Sequence, residues 1–266
     1  MTTLLMDGLN FPEGPAFDQS GGIWLVEKDA GNLVYLRNNQ HLRIYVGGNP
    51  NGIAIDQNGI IWFCDSRKNA IRQYDPTNGK QHTLVDCINK IPLKMPNDLC
   101  FDLLGNLLFT CPGDSLDDGT GYICCLSLDG HLIQIHTKMQ YPNGLAFAPD
   151  NKSLYIAETG SKWIWKSTWN VSLKKLEDLE KFAYAGGEVG PDGIAFDSEG
   201  TLYAAIYGGQ KIITIDHTGQ ILEEILLPYP NPTNCAIDPK GTKGIIVTEA
   251  KQGQLIQIDS NKKGLL

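Results

Sequence analysis

Six stretches of this chain each carry an oxygen-bearing side chain at the same point of a repeated pattern, and several oxygens converging on one point can hold a hard cation. The stretches are Pro12-Glu13-Gly14-Pro15-Ala16-Phe17-Asp18, Pro50-Asn51-Gly52-Ile53-Ala54-Ile55-Asp56, Pro96-Asn97-Asp98-Leu99-Cys100-Phe101-Asp102, Pro142-Asn143-Gly144-Leu145-Ala146-Phe147, Pro191-Asp192-Gly193-Ile194-Ala195-Phe196-Asp197 and Thr233-Asn234-Cys235-Ala236-Ile237-Asp238. The second slot reads Glu13, Asn51, Asn97, Asn143, Asp192 and Asn234. An Asn before Gly also caps a turn by bonding its own backbone, which accounts for any one copy taken alone. That reading fits Glu13 poorly, and it leaves unexplained why the slot never holds Ser, Lys or a hydrophobe. Two carboxylates among four amides at one channel mouth repel each other without a counter-charge. A divalent cation supplies it. An oxygen-only set favours Ca²⁺, Mg²⁺ or Mn²⁺ over a structural zinc. The five histidines (41, 82, 131, 136 and 217) fall in predicted outer strands or turns, so a Ser-His-Asp or Cys-His mechanism has little support.

The elements that must position these residues follow from the spacing. Successive second slots are 38, 46, 46, 49 and 42 residues apart, with strand-turn-strand content in each interval. A period in that range marks propeller blades. The reading is an all-β, six-bladed β-propeller of four-stranded antiparallel blades, with residues 1–266 as a single domain. The innermost strands begin at one mouth of the central channel, which brings the second slots together. Only three strands follow Asn234, so Thr3 to Met6 is expected to complete the last blade and join the two ends of the ring. The longest excursion, Thr110 to Gly121, is too rich in Asp and Gly for a strand, and long loops in compact domains are often functional. Residues 168–178 read as an extension before an outer strand at Lys181 to Tyr184. Trp163, Trp165 and Trp169 are expected to pack between blades, and so is the Cys124-Cys125 pair.

Composition narrows the partners. A formal charge of −8 argues against nucleic acid and fits a small neutral substrate. No run approaches the ~20 apolar residues of a membrane helix, and the first residues lack the basic start and apolar core of a signal peptide. Seven cysteines without C-x-x-C spacing read as reduced thiols. A cytoplasmic protein is expected, monomeric or weakly dimeric, with no nucleic-acid or membrane partner.

At this level of detail the chain resembles the SMP-30/gluconolactonase/LRE-like six-bladed propellers over nearly its whole length. The resemblance rests on Tyr141-Pro142-Asn143-Gly144-Leu145-Ala146-Phe147 with Leu154-Tyr155-Ile156-Ala157-Glu158-Thr159, on Pro191-Asp192-Gly193-Ile194-Ala195-Phe196-Asp197 with Tyr207-Gly208-Gly209, and on Pro232-Thr233-Asn234-Cys235-Ala236. The loop Cys111-Pro112-Gly113-Asp114 resembles the bacterial gluconolactonase-like branch. The resemblance implies one divalent metal held by Glu13, Asn143 and Asp192: Ca²⁺ first, with Mg²⁺, Mn²⁺ or Zn²⁺ as further candidates. It implies that Asn97 contacts substrate. Some sugar-acid lactonases of the family carry Arg two residues before that Asn, where this chain has Met95. An acidic residue of their next loop falls near Asp114 or Ser115.

The function expected is therefore metal-dependent hydrolysis of a small cyclic ester, with Asp192 as metal ligand and base. Asn97 and Asn51 would donate to the developing oxyanion, while Met95 and Asp114 would shape the substrate pocket. Phosphotriester or aryl ester hydrolysis on the same metal, or a ligand-binding propeller with a structural metal, are the competing readings.

Overall fold

The computed structural model describes residues 1–265; Leu266, the last residue of the expected domain, lies outside the described residues. Six four-stranded antiparallel sheets follow one another around a ring, and no helix occurs among the described residues. This is the six-bladed β-propeller that the repeat spacing predicts. The innermost strands are Pro12–Phe17, Pro50–Ile55, Leu99–Phe101, Pro142–Phe147, Gly190–Phe196 and Pro232–Ile237.

Each innermost strand turns into its neighbour through an aspartate whose side chain accepts backbone N–H groups, as Asp56 Oδ1 does from Asn58 and Ile60 at 2.8 and 3.0 Å. Asp102 does the same for Leu104 and Asn106, each at 2.9 Å. The turns finish at a residue in the left-handed region. In blade 2 this is Gly59, while blade 4, which lacks the glycine, uses Asn151 (φ 54°).

The packing is distributed over the ring. Six apolar clusters occupy the six blade-to-blade interfaces, for example Phe63 and Ile61 with Trp24 and Val26 between blades 1 and 2. Cys124 and Cys125 are fully buried on opposite faces of one strand, each in a different interface, and all seven cysteines are free.

Closure is made by the N-terminus. Thr2–Met6 pairs antiparallel with the third strand of blade 6, Gln254–Ile258, giving that blade its fourth strand. Met6 and Leu9 enter the core between blades 6 and 1 beside Leu25, Val34 and Ile246. Asp259 N–H donates to Met1 O, and Leu9 N–H donates to Gly253 O. At the other end, Ser198 N–H donates to Lys263 O and Gly264 N–H to Asp238 O, so the C-terminal segment ties blades 5 and 6 together.

Two expectations about the outer strands need correction. Residues 168–178 are no irregular extension: strands Trp163–Asn170 and Lys175–Tyr184 form one long hairpin, with only residues 171–174 in the turn. Trp169 explains the length, because its indole N–H donates to Asp102 Oδ2 of blade 3 at 2.9 Å while its ring packs between blades 3 and 4. Trp163 instead lies against Tyr184 within its own blade. A small extra hairpin, Cys87–Ile88 with Ile91–Pro92, links blades 2 and 3 and carries no signal in the repeat.

Deleting residues 1–7 should open the edge of blade 6 and expose its core. We expect a fall in melting temperature of roughly 10 °C, the scale of a several-kcal/mol loss in a chain this size, with concentration-dependent aggregation. An unchanged melt would show that the ring closes without this strand.

Candidate functional site at the mouth of the central channel

The innermost strands enter their sheets with a proline, and the ladder then slips: register shifts fall between Pro50 and Ile53, Pro142 and Leu145, Pro191 and Ile194, and Pro232 and Asn234. A bulge breaks strict alternation and turns two consecutive residues toward the same side. Second-slot and third-slot residues therefore both address the channel. Hydrogen bonds between blades fix this level of the ring. The Thr110 hydroxyl donates to Asn143 O at 2.8 Å, Thr159 to Pro191 O at 2.7 Å, and Thr233 to Pro12 O at 2.8 Å.

Glu13, Asn51, Asn97, Asn143 and Asp192 all occupy the second slot and all are buried. Asn234 does not belong with them. Counting back from the Asp238 turn, and from Pro232 at the strand start, the second slot of blade 6 is Thr233 and the third is Asn234. The expectation that the slot excludes small hydroxyl residues is corrected accordingly. Thr233 is fully buried, and its hydroxyl lies beside Glu13 and favours that carboxylate's charged form. Pro232 carried the missed signal, since it restores the proline that precedes the second slot in the other five blades.

The third slot holds glycine in blades 1, 2, 4 and 5, but Asp98 in blade 3 and Asn234 in blade 6. The two longer side chains take the space left by the glycines of blades 2 and 5. A Cβ at Gly52 would lie 2.2 Å from Asp98 Oδ1, and one at Gly193 would lie 2.0 Å from Asn234 Cγ. Both residues accept the N–H of the next residue on their own Oδ1, Leu99 at 2.9 Å and Cys235 at 2.8 Å. Asp98 is thus a third buried carboxylate at the channel, and its place in a glycine slot was the sequence signal for it. On the other side of this tier the channel widens to a cavity of about 760 Å³, lined by Phe17, Ile55, Phe101, Phe147, Phe196 and Ile237 among others.

The electrostatics are those of under-neutralised acids. Burial pushes the Glu13 carboxyl up to about 7, with Asp98 adding to the rise and Lys28 opposing it. Asp98 is likewise raised to about 7 by burial, against hydrogen bonding from Leu99 and the nearby Asn234 amide. Asp192 is raised well above the usual carboxylate range, first by burial and then by the charge of Glu13. Lys28 is the basic side chain acting on both Glu13 and Asp192; its Nζ sits 4.8 Å from the Phe11 ring centroid. No repeat position marks Lys28 in the sequence.

The amides complement the acids. Asn143 donates its Nδ2 to Thr159 Oγ1 at 3.2 Å, which leaves its Oδ1 for another partner. Asn51 is 1 % exposed, and neither atom of its amide has a partner among the described residues. A buried amide left unpaired in this way costs about 1–3 kcal/mol. No cluster of three or more His, Cys, Asp or Glu able to hold a metal ion occurs among the described residues. The candidate set is instead Glu13 and Asp192 completed by the amide oxygen of Asn143.

Met95 and Asp114 stand apart from this buried ring. Met95 is 38 % exposed, in the left-handed region at φ 46°, one residue before Pro96. Asp114 is largely exposed on the loop after Cys111 and pairs with Lys94 at 2.6 Å. Phe11 (φ 54°) and Tyr141 (φ 60°) share the pre-proline position and the left-handed conformation with Met95. All five histidines lie in outer strands or turns, as expected.

Comparison with known proteins agrees with this architecture. The family described as SMP-30/Gluconolactonase/LRE-like region matches residues 11–251. A gluconolactonase of Zymomonas mobilis is 28 % identical, over 90 % of this chain and 76 % of its own length. The diisopropyl-fluorophosphatase of Loligo vulgaris is 26 % identical, over 95 % of this chain and 90 % of its own. Among solved structures, a gluconolactonase from Xanthomonas campestris superposes with a TM-score of 0.86 at 26 % identity, covering 97 % of this chain and 89 % of its own. With the matched region running from Phe11 to Lys251, through all six innermost strands, this chain belongs to the SMP-30/gluconolactonase/LRE-like family.

Proposed function

We propose that this chain is a divalent-metal-dependent hydrolase of small cyclic esters, a lactonase of the gluconolactonase type. The observation that carries the reading is the ring of buried, under-neutralised carboxylates and unpaired amide atoms at the channel mouth. Hydrolytic activity at family level is supported by relatives named gluconolactonase, pentonolactonase and diisopropyl-fluorophosphatase.

The residues present fit a hard cation. Glu13, Asp192 and the free Oδ1 of Asn143 form an oxygen-only set, and their net negative charge is opposed chiefly by Lys28. A divalent cation there, Ca²⁺ by preference, would act as a Lewis acid on the ester carbonyl. The chain's own groups do the rest. Asp192 accepts the proton of the attacking water. Asn51 and Asn97 donate amide N–H groups to the oxyanion as the acyl carbon becomes tetrahedral. The Asn51 amide has no competing partner to release first.

A second reading, hydrolysis of a phosphotriester on the same residues, is favoured by the similarity to the squid enzyme over nearly the full chain. A panel of δ-lactones, aryl esters and a phosphotriester, with and without chelator, separates the two. The lactonase reading requires lactone turnover that chelation abolishes.

Two further outcomes follow. Asp192→Asn keeps an oxygen ligand but removes the proton acceptor, so kcat should fall by roughly 10²-fold or more while metal affinity falls less; a variant still active with metal bound would place the base elsewhere. The second concerns stability. Glu13 and Asp98 sit near 7 in the metal-free fold, above their ordinary 4.5 and 3.8. The folded chain then holds more protons than the unfolded one between those values. Their stabilising contribution is therefore present at low pH and lost as pH rises through about 7. In chelator the melting temperature should drop between pH 5.5 and 8. In excess Ca²⁺ the drop should be offset, by a margin that widens with pH. Superimposable melts with and without Ca²⁺ at pH 8 would contradict the site.

A further inference from the structure

Phe11, Met95 and Tyr141 each precede the proline that opens an innermost strand, in blades 1, 3 and 4, and each holds the left-handed conformation that only glycine adopts freely. Strain of this kind persists where surrounding structure enforces it, and it collects at functional sites. The enforcement is visible at two of the three: Lys28 N–H donates to Phe11 O and Thr159 N–H donates to Tyr141 O, both at 3.0 Å. Thr159 is the residue whose hydroxyl also receives the Asn143 amide and ties blade 4 to blade 5. The backbone that orients Asn143 thus also fixes Tyr141.

The tyrosine is half-buried at the mouth, two residues before Asn143 and bonded through its backbone to the threonine that Asn143 contacts. Tyr207 of blade 5 faces Glu13 and Asp192; its hydroxyl accepts Asn231 Nδ2 at 3.2 Å, which anchors it to its own blade while its O–H stays free to donate. The Tyr141 hydroxyl has no hydrogen-bond partner among the described residues. The ester group of a lactone presents acceptors only, at its carbonyl and ring oxygens, while Glu13 and Asp192 are themselves acceptors when charged. A neutral phenol adds a donor to those of Asn51 and Asn97, and its ring supplies a flat apolar wall.

Resting on the lactonase reading above, we propose that Tyr141 is a substrate-contacting, specificity-determining residue. Its hydroxyl donates to an oxygen of the bound cyclic ester, and its ring joins Phe11 and Met95 in an apolar rim that favours lactones bearing an alkyl face over polyhydroxylated ones.

The test compares wild type, Tyr141→Phe and Tyr141→Ala on δ-valerolactone, δ-nonalactone and gluconolactone, together with calorimetric binding of δ-valerolactam, an unreactive analogue. Tyr141→Phe should lose roughly 10-fold or more in kcat/KM on all three lactones, and should bind the lactam correspondingly more weakly, with melting temperature and Mn²⁺ affinity unchanged. Tyr141→Ala should in addition lose the wild-type preference for δ-nonalactone over gluconolactone. Equal lactam affinity and equal kcat/KM in wild type and Tyr141→Phe would overturn the inference, as would a wild-type preference for gluconolactone. If wild type turns over no lactone, the parent reading fails; a lactam affinity weakened by Tyr141→Phe would still support the contact, and an equal or absent affinity would refute it.

Discussion

Glu13, Asp98 and Asp192 are buried around one channel, and the cost of holding three carboxyl groups out of water is the constraint on which the rest of the structure depends. Neighbouring charge adds to that cost at Glu13, from Asp98, and at Asp192, from Glu13 and Asp98. Carboxylates removed from water and set near each other destabilise a fold unless charge or hydrogen bonding offsets them. Much of the local architecture supplies that offset. Thr233 lies beside Glu13, Asn234 beside Asp98 and Asn143 beside Asp192, while Lys28 acts on two of the three acids. The remaining deficit, with the unpaired Asn51 amide, is what a cation and a polar substrate would relieve.

A ring of this kind has to be rigid, because groups that repel move apart if the backbone lets them. Rigidity comes from closure. Threonine hydroxyls of blades 3, 4 and 6 bond the backbone of the next innermost strand at the level of the ring. Farther out, the strand Thr2–Met6 completes blade 6, and the apolar clusters at all six interfaces resist separation of any one blade. The approach of the strands at the axis explains the third slot: the glycines of blades 2 and 5 make room for the side chains of Asp98 and Asn234, while those of blades 1 and 4 let the backbone of the next innermost strand come close. Those two residues divide the ring from the apolar cavity behind it.

Much of this was legible in the sequence. Blade count, order and closure followed from the repeat and from the three strands left in blade 6. Glu13, Asn51, Asn97, Asn143 and Asp192 were legible because their slot follows a proline and precedes an apolar strand. Thr233 was misread as outside the ring because an adjacent Asn matched the expected type better than its position did. The count from Pro232 to Asp238 decides between them, and the pairing between the strands agrees with it. Asp98 was visible as a departure from glycine, but its meaning depends on the opposing Asn234, 136 positions away in the chain. Lys28 acts across blades, and the long hairpin of blade 4 is explained by Trp169 reaching Asp102 of blade 3. None of these contacts has a periodic signature. Met95 and Asp114 are on the rim and its neighbouring loop rather than in the ring, since the strand pattern that fixes the ring ends before it reaches them.

The central claim is that the mouth of the channel holds one divalent cation between Glu13, Asn143 and Asp192. Crystals grown with Mn²⁺ and measured on the high-energy side of the manganese absorption edge address it directly. The account predicts one strong anomalous peak bounded by the carboxylates of Glu13 and Asp192 and the Oδ1 of Asn143, at manganese–oxygen distances of about 2.0–2.4 Å, the range for hard cations with oxygen ligands. A map with no peak there at saturating Mn²⁺, or with its peak elsewhere on the ring, would contradict it.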